Sequence, residues 1–136
     1  MRVWVDGSSR GNPGISGIGI VINFDNGHTE ALSKVIGDNK TNNEAEYEAL
    51  IEALKWLIEI NVYKEDCTIY TDSKLVFGQV IAGWKINHSH LMLLNGKVKA
   101  LLNSVNFKVD LEYTPRKNQI ANELAQEVTL QAKMGV

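Results

Sequence analysis

The sequence predicts an α/β domain on a five-stranded mixed sheet, three antiparallel strands followed by two parallel ones, with helices on both faces. Three observations carry that prediction. The first forty residues alternate with the two-residue period of strands, broken by the turn-rich stretches "RGNPG" and "DNG". From Thr41 the apolar residues recur every three or four positions, the period of a helix packed on a sheet. Two later strand-like stretches, "CTIYT" and "NFKVDLEY", are each reached through a helical run, the pattern of parallel crossovers.

Taken in order, "RVWVDGSS" puts Val3 and Val5 on one side of a first strand, and "ISGIGIVINFD" supplies the second. The Asn-Gly of "DNG" at 25–27 predicts a two-residue hairpin leading into a third strand, "HTEALSKVIG". A helix is expected over 41–60, with Ala45, Ala49, Leu50, Ala53, Leu54, Leu57 and Ile58 as its buried stripe and "TNNE" as a Thr-x-x-Glu capping box. After "CTIYT" come helical runs at 74–82 and 90–103, the second carrying Gly96 inside it. "NFKVDLEY" alternates as the fifth strand. The last helix opens in "RKNQIANELAQE" and runs to about Lys133, with Ile120, Ala121, Leu124 and Ala125 as its apolar stripe.

The length of 136 residues suits one domain spanning 1–136 with a real core. Hydrophobic content of 44% and charged content of 22% are ordinary for globular chains, and no segment is long and apolar enough to cross a bilayer. "MRVWVDGSS" lacks the apolar core and cleavage site of a signal peptide, and the single cysteine, Cys67, sits in an apolar run, so a reducing, cytoplasmic setting and a monomer are expected. A net charge of −2 argues against coating nucleic acid or membrane by bulk electrostatics. It leaves nucleic acid open, because bound divalent cations can supply the positive charge.

Asp6 closes the first strand and Asp72 the fourth, so parallel neighbours would deliver both carboxylates to one edge of the sheet, where open α/β folds place their sites. Glu46, near the start of the helix after strand three, is within reach of that edge. Singly, each has a plain structural reading: a turn at Asp6-Gly7, a helix cap at Asp72-Ser73, a solvated acid among Glu44, Glu48 and Glu52. As a set they repel one another, and hard oxygen-seeking cations such as Mg²⁺ best offset that cost. A hydrated carboxylate site of this type suggests phosphodiester hydrolysis. No zinc-type cluster or phosphate-binding glycine loop accompanies it, and the histidines of "HSH" at 88–90 stand on different helix faces as surface residues. Asn122 is out of place in this scheme, since a carboxylate in the first turns of the last helix would suit both the helix dipole and a cation.

Four stretches, "DGSSRGNPG", "TNNEAEY", "YTDSK" and "RKNQIANELA", together resemble the motifs of type 1 ribonuclease H in the correct order over nearly the whole chain. The resemblance implies the RNase H-like fold and an endonuclease that cuts the RNA strand of RNA/DNA hybrids by a two-metal mechanism using Mg²⁺ or Mn²⁺. Carried over by residue, it implies Asp6, Glu46 and Asp72 as metal ligands, Asp6 bridging both ions, with Asn122 where the family has a fourth carboxylate. It implies substrate contacts at Gly7, Asn12, Asn42, Asn43 and Ser73, with Thr41 seating a DNA-strand phosphate and Trp84 either stacking on DNA sugars or packing in the core. Amide groups suit a 2′-hydroxyl, which both donates and accepts and so marks RNA against DNA.

The departures are specific. "AGWKINHSH" replaces the long basic protrusion of some members, the loop "TPRKNQ" has no histidine, and no separate hybrid-binding domain accompanies the motifs. An amide at 122 can still ligate a cation but lacks the charge that holds the second one, so reduced or lost catalysis is expected. The alternatives are a non-catalytic hybrid-binding module on the same scaffold, and a resolvase or integrase core. The retained acids weigh against the first alternative and "TNN" with "GNPG" against the second.

Overall fold

In the computed structural model, residues 1–115 and 118–135 are described, and the elements follow the expected order. They are β1 (Arg2–Arg10), β2 (Gly14–Asn23), β3 (Thr29–Lys40), α1 (Asn42–Ile60), β4 (Cys67–Thr71), α2 (Lys74–Val80), α3 (Ser89–Ser104), β5 (Val109–Tyr113) and α4 (Gln119–Met134). The strands form one sheet in the order β3-β2-β1-β4-β5. β1, β2 and β3 pair antiparallel, and β4 runs parallel to both β1 and β5. Among the described residues no helix is long and apolar enough to cross a membrane.

The hairpin between β2 and β3 differs from expectation. Phe24 N donates to the His28 carbonyl at 2.8 Å and Gly27 N to the Phe24 carbonyl at 3.0 Å, so Asp25, Asn26 and Gly27 form a three-residue loop. Gly27 takes φ 90°. A tight turn followed by one left-handed glycine matches strand twist as well as a two-residue turn does, so Asn-Gly alone does not select the loop length. Arg116 and Lys117, in the loop before α4, lie outside the described residues.

Two close approaches set the layers. A Cβ at Gly7 would overlap the Ala45 carbonyl, so that face of β1 meets α1, whereas a Cβ at Gly19 would overlap the Ala121 carbonyl, so that face of β2 meets α4. Asp6 pairs with Gly19 and Gly7 with Ile18. Directly opposed residues share a face, so Asp6 points toward α4 while Gly7 points toward α1.

The main core lies on the α1 side, where Val3, Val5, Ile18, Ile20 and Ile22 meet Tyr47, Leu50, Leu54 and Leu57, with Leu94 and Val98 of α3 packed beyond. Tyr47 and Ile51 join the buried face of α1 whereas Ile58, expected inside, is 46% exposed. The α4 side is built differently. Its buried stripe is Ala121, Ala125 and Thr129, and Ile120 is 57% exposed. The floor there is Gly17 and Gly19, against which only small residues fit, so the four-residue spacing Ala-Ala-Thr overrides the larger apolar side chain.

Candidate active site

Trp4 of β1 pairs in parallel register with Tyr70 of β4. Two residues further along, Asp6 lies inside β1, which was expected to end there but runs on to Arg10 beside β2, and Asp72 follows Thr71, the last residue of β4. Glu46 arrives from the opposite layer. Thr41 caps α1 with its hydroxyl accepting from Glu44 N at 3.2 Å, and Glu44 Oε1 accepts from Thr41 N at 3.1 Å, completing the capping box read from the sequence. With the helix start fixed and pressed on Gly7, Glu46 Oε1 accepts from Gly7 N at 2.5 Å. Asp6, Glu46 and Asp72 each then offer one carboxylate oxygen within 4.8 Å of the others. An all-oxygen, anionic donor set at that spacing fits a hard divalent cation such as Mg²⁺ and offers no soft ligand for zinc.

Burial first, and then the charges of Asp6 and Asp72, hold the Glu46 carboxyl well above the ordinary glutamate value, with the Gly7 N–H acting in the other direction. A carboxylate whose folded pKa exceeds its unfolded value binds its proton more tightly when folded, so it costs stability as pH rises from the ordinary value near 4.5 through the raised one. We therefore expect the chelated protein to lose stability over that window relative to Glu46→Gln, which removes the charge. Denaturant titrations of both proteins between pH 4.5 and 8 check this, and parallel curves would show that the acids do not strain one another.

Asn122 sits one turn into α4, whose start is capped by Asn118 Oδ1 accepting from Ala121 N at 2.8 Å. Its Oδ1 accepts from Gln126 Nε2 at 3.4 Å. It lines a cleft of about 460 Å³ with Gly7, Asn42, Asn43, Glu46 and Ser73, joined by Ser8, Lys74, Leu75 and Gln126. Ser73 also caps α2, accepting from Val76 N at 3.1 Å.

Of the residues singled out from the sequence, Asp6, Asp72, Asn12, Thr41 and Trp84 lie outside that lining. Thr41 is engaged in its cap. Asn12 accepts at Oδ1 from Asn42 N at 2.9 Å, and Asn42 Oδ1 accepts from Ser9 N at 3.1 Å, so both amides brace the β1–β2 turn against the start of α1. Trp84 lays its ring on Gly78, where a Cβ would overlap it, yet remains 46% exposed. The histidines also have partners, His88 Nδ1 capping α3 through Leu91 N and His90 Nε2 lying 3.0 Å from Glu44 Oε2.

Gln126 and the glycines that admit α4 escaped the sequence reading. Alternating glycines inside a strand are the signal that could have found the close approach. The corresponding test on the α1 side is Gly7→Ala. Overlap with helix backbone has no flexible side chain to relieve it, so a loss of about 3 kcal/mol is expected. Thermal melts would register it, and divalent-ion binding should weaken in step as Glu46 is pushed away.

Comparison with known proteins agrees with this geometry. The family model for RNase H matches residues 1–133. The chain is 33% identical over 129 residues to ribonuclease HI of Halobacterium salinarum, covering 93% of this chain and 63% of that protein. It is 36% identical over 124 residues to the bifunctional protein Rv2228c of Mycobacterium tuberculosis, covering 90% of this chain but 33% of that protein. It thus spans between a third and just under two thirds of these relatives. Among solved structures, LC11-RNase H1 in complex with RNA/DNA hybrid superposes with a TM-score of 0.87 at 33% identity, covering 97% of this chain and 98% of that one. With one carboxylate inside β1, one just past the end of β4 and one at the start of α1, and a family match spanning almost every residue, the chain belongs to the RNase H family.

Proposed function

We propose that the chain is a nuclease hydrolysing the RNA strand of RNA/DNA hybrids, with two Mg²⁺ ions, or Mn²⁺ in their place, held by Asp6, Glu46 and Asp72 and weakly by Asn122. The observation that carries the reading is the convergence of three carboxylate oxygens within 4.8 Å in a chain of this family. When bound, such ions activate the attacking water and stabilise the leaving oxygen. The protein's own part is to hold them and to seat the strand. Asp6 is assigned the role of shared ligand, as the family resemblance implies, and the Gly7 N–H orients Glu46.

Recognition of RNA rests on the amides. Because the Oδ1 atoms of Asn12 and Asn42 accept from backbone N–H groups, their Nδ2 groups are left to donate outward. Asn43 and Ser73 add polar groups at the cleft, and such donors suit the oxygen of a 2′-hydroxyl. Thr41 keeps its own O–H for a DNA-strand phosphate while its oxygen accepts from Glu44 N, and the exposed part of Trp84 offers a face to a sugar. Tighter binding of hybrid than of duplex DNA of the same sequence is the expected result at fixed Mg²⁺ and salt, the salt held constant because phosphate contacts depend on it. Equal affinities in a titration of labelled duplexes would overturn the assignment of Asn12, Asn42 and Asn43.

Asn122 favours one second reading, a hybrid-binding module without catalysis. Mg²⁺-dependent cutting of a labelled hybrid that chelator abolishes supports the nuclease. Hybrid binding with no cutting in Mg²⁺ or Mn²⁺, before and after Asn122→Asp, supports the module. We place the chain as one monomeric domain in a reducing, cytoplasmic compartment, a setting supported by Cys67, a buried thiol that its surroundings push up to about 12.

A further inference from the structure

Asp6, Ser8 and Arg10 alternate along β1 and so share the face that meets α4. On α4, Asn122, Gln126 and Lys133 follow at four- and seven-residue spacing, which keeps them on one side of the helix. The two rows begin together at the acidic cleft. They end together at a second cavity of about 550 Å³, lined by Ser8, Ser9, Arg10, Gly11, Gln126 and Lys133. Ser8 and Gln126 line both cavities, so the two are continuous. Strand and helix rises put the basic end about 13 Å from Asp6 along β1 and about 16 Å from Asn122 along α4.

The second cavity has the chemistry of an anion site. None of its lining residues is acidic. Arg10 is braced, its Nε donating to Thr129 Oγ1 at 3.0 Å and an Nη to the Gln126 carbonyl at 3.1 Å, which fixes the guanidinium plane and leaves further N–H donors for a ligand. Lys133 lies across from it with no ion-pair partner among the described residues. A fixed fork beside a mobile ammonium suits the tetrahedral oxygens of a phosphodiester.

We propose that this cavity binds a phosphodiester of the strand being cut, beyond the scissile one, so that the strand runs from the carboxylates past Ser8 and Gln126 to Arg10 and Lys133. This rests on the hybrid-cleavage reading above. It places cationic contacts on the α4 side of the site, in a chain that lacks a long basic segment between α2 and α3.

The test is the salt dependence of hybrid binding by the full chain at constant Mg²⁺, with strand integrity checked on gels. Arg10→Met and Lys133→Met should each weaken binding several-fold at low salt and each reduce the slope of log K against log salt by about 0.9. Arg10→Lys keeps the charge but loses the brace to α4, so it should retain the slope, a result that a merely structural role for Arg10 would not give. Lys133 is exposed, so its variant reads out even if Arg10→Met fails to fold. A single neutral linkage in the RNA strand should erase the difference between the unaltered and variant proteins; if only a neutral linkage in the DNA strand does so, the strand assignment is overturned. Normal slopes in both methionine variants of a chain that binds hybrid overturn the subsite alone. Failure of the unaltered chain to bind hybrid overturns the functional reading itself, and this proposal with it.

Discussion

Asn122→Asp is expected to raise Mg²⁺-dependent hydrolysis of a hybrid by roughly 10³-fold, equivalent to about 4 kcal/mol of transition-state stabilisation. The reason is differential. In the ground state an amide oxygen can serve as a weak cation ligand, but under the two-ion reading charge developing on the leaving oxygen would have to be met by a firmly held second ion, and that would need a full negative charge at 122. Little else should change. α4 carries no acid in its first turn, so a carboxylate near its start is tolerated by the helix dipole, and hybrid affinity draws on other residues. Single-turnover assays across Mg²⁺ and Mn²⁺ concentrations check the gain. A rate still at background would put the lesion elsewhere and move the binding-module reading ahead.

The second large effect is expected at Asp6. Asp6→Asn should abolish whatever cleavage the chain has and weaken divalent binding, because one of the three clustered acids loses its charge. Folding should survive: Asp6 helps hold the Glu46 carboxyl above its ordinary value, so removing its charge relieves repulsion and should stabilise the metal-free protein by about 1 kcal/mol. Calorimetric Mg²⁺ titration together with melts in chelator separates the two consequences. Undiminished hydrolysis by this variant would show that the site lies elsewhere.

The parts of this molecule that depend on local period or on chain order were legible in the sequence. "TNNE" closes as the capping box it spells, and the βββαβααβα order makes β1 and β4 parallel neighbours, so Asp6 and Asp72 had to emerge together. What stayed illegible depends on distances between layers. Ile58 and Ile120 fall on helical stripes by hydropathy, yet face outward because the sheet beneath α4 is floored by glycine and the face of α1 turns toward Tyr47 and Ile51. The orientation of the Asn12 and Asn42 amides was hidden for a related reason. It follows from backbone donors some thirty residues away, which no local pattern encodes.

The glycines that admit α1 and α4 have one more consequence. Glu46 and Asn122 belong to helices on opposite faces of the sheet, each brought to the edge of β1 through a position without a side chain. If the proposed cations engage both residues, they would act as a rivet through both layers, and lifting either helix would release them. Local opening of α4, which rests on small side chains with little apolar area, would then carry the same ion-dependent penalty as opening of the larger α1 core. Saturating divalent ion should accordingly draw the hydrogen-exchange protection of the two layers together, merging two units of unequal stability into one.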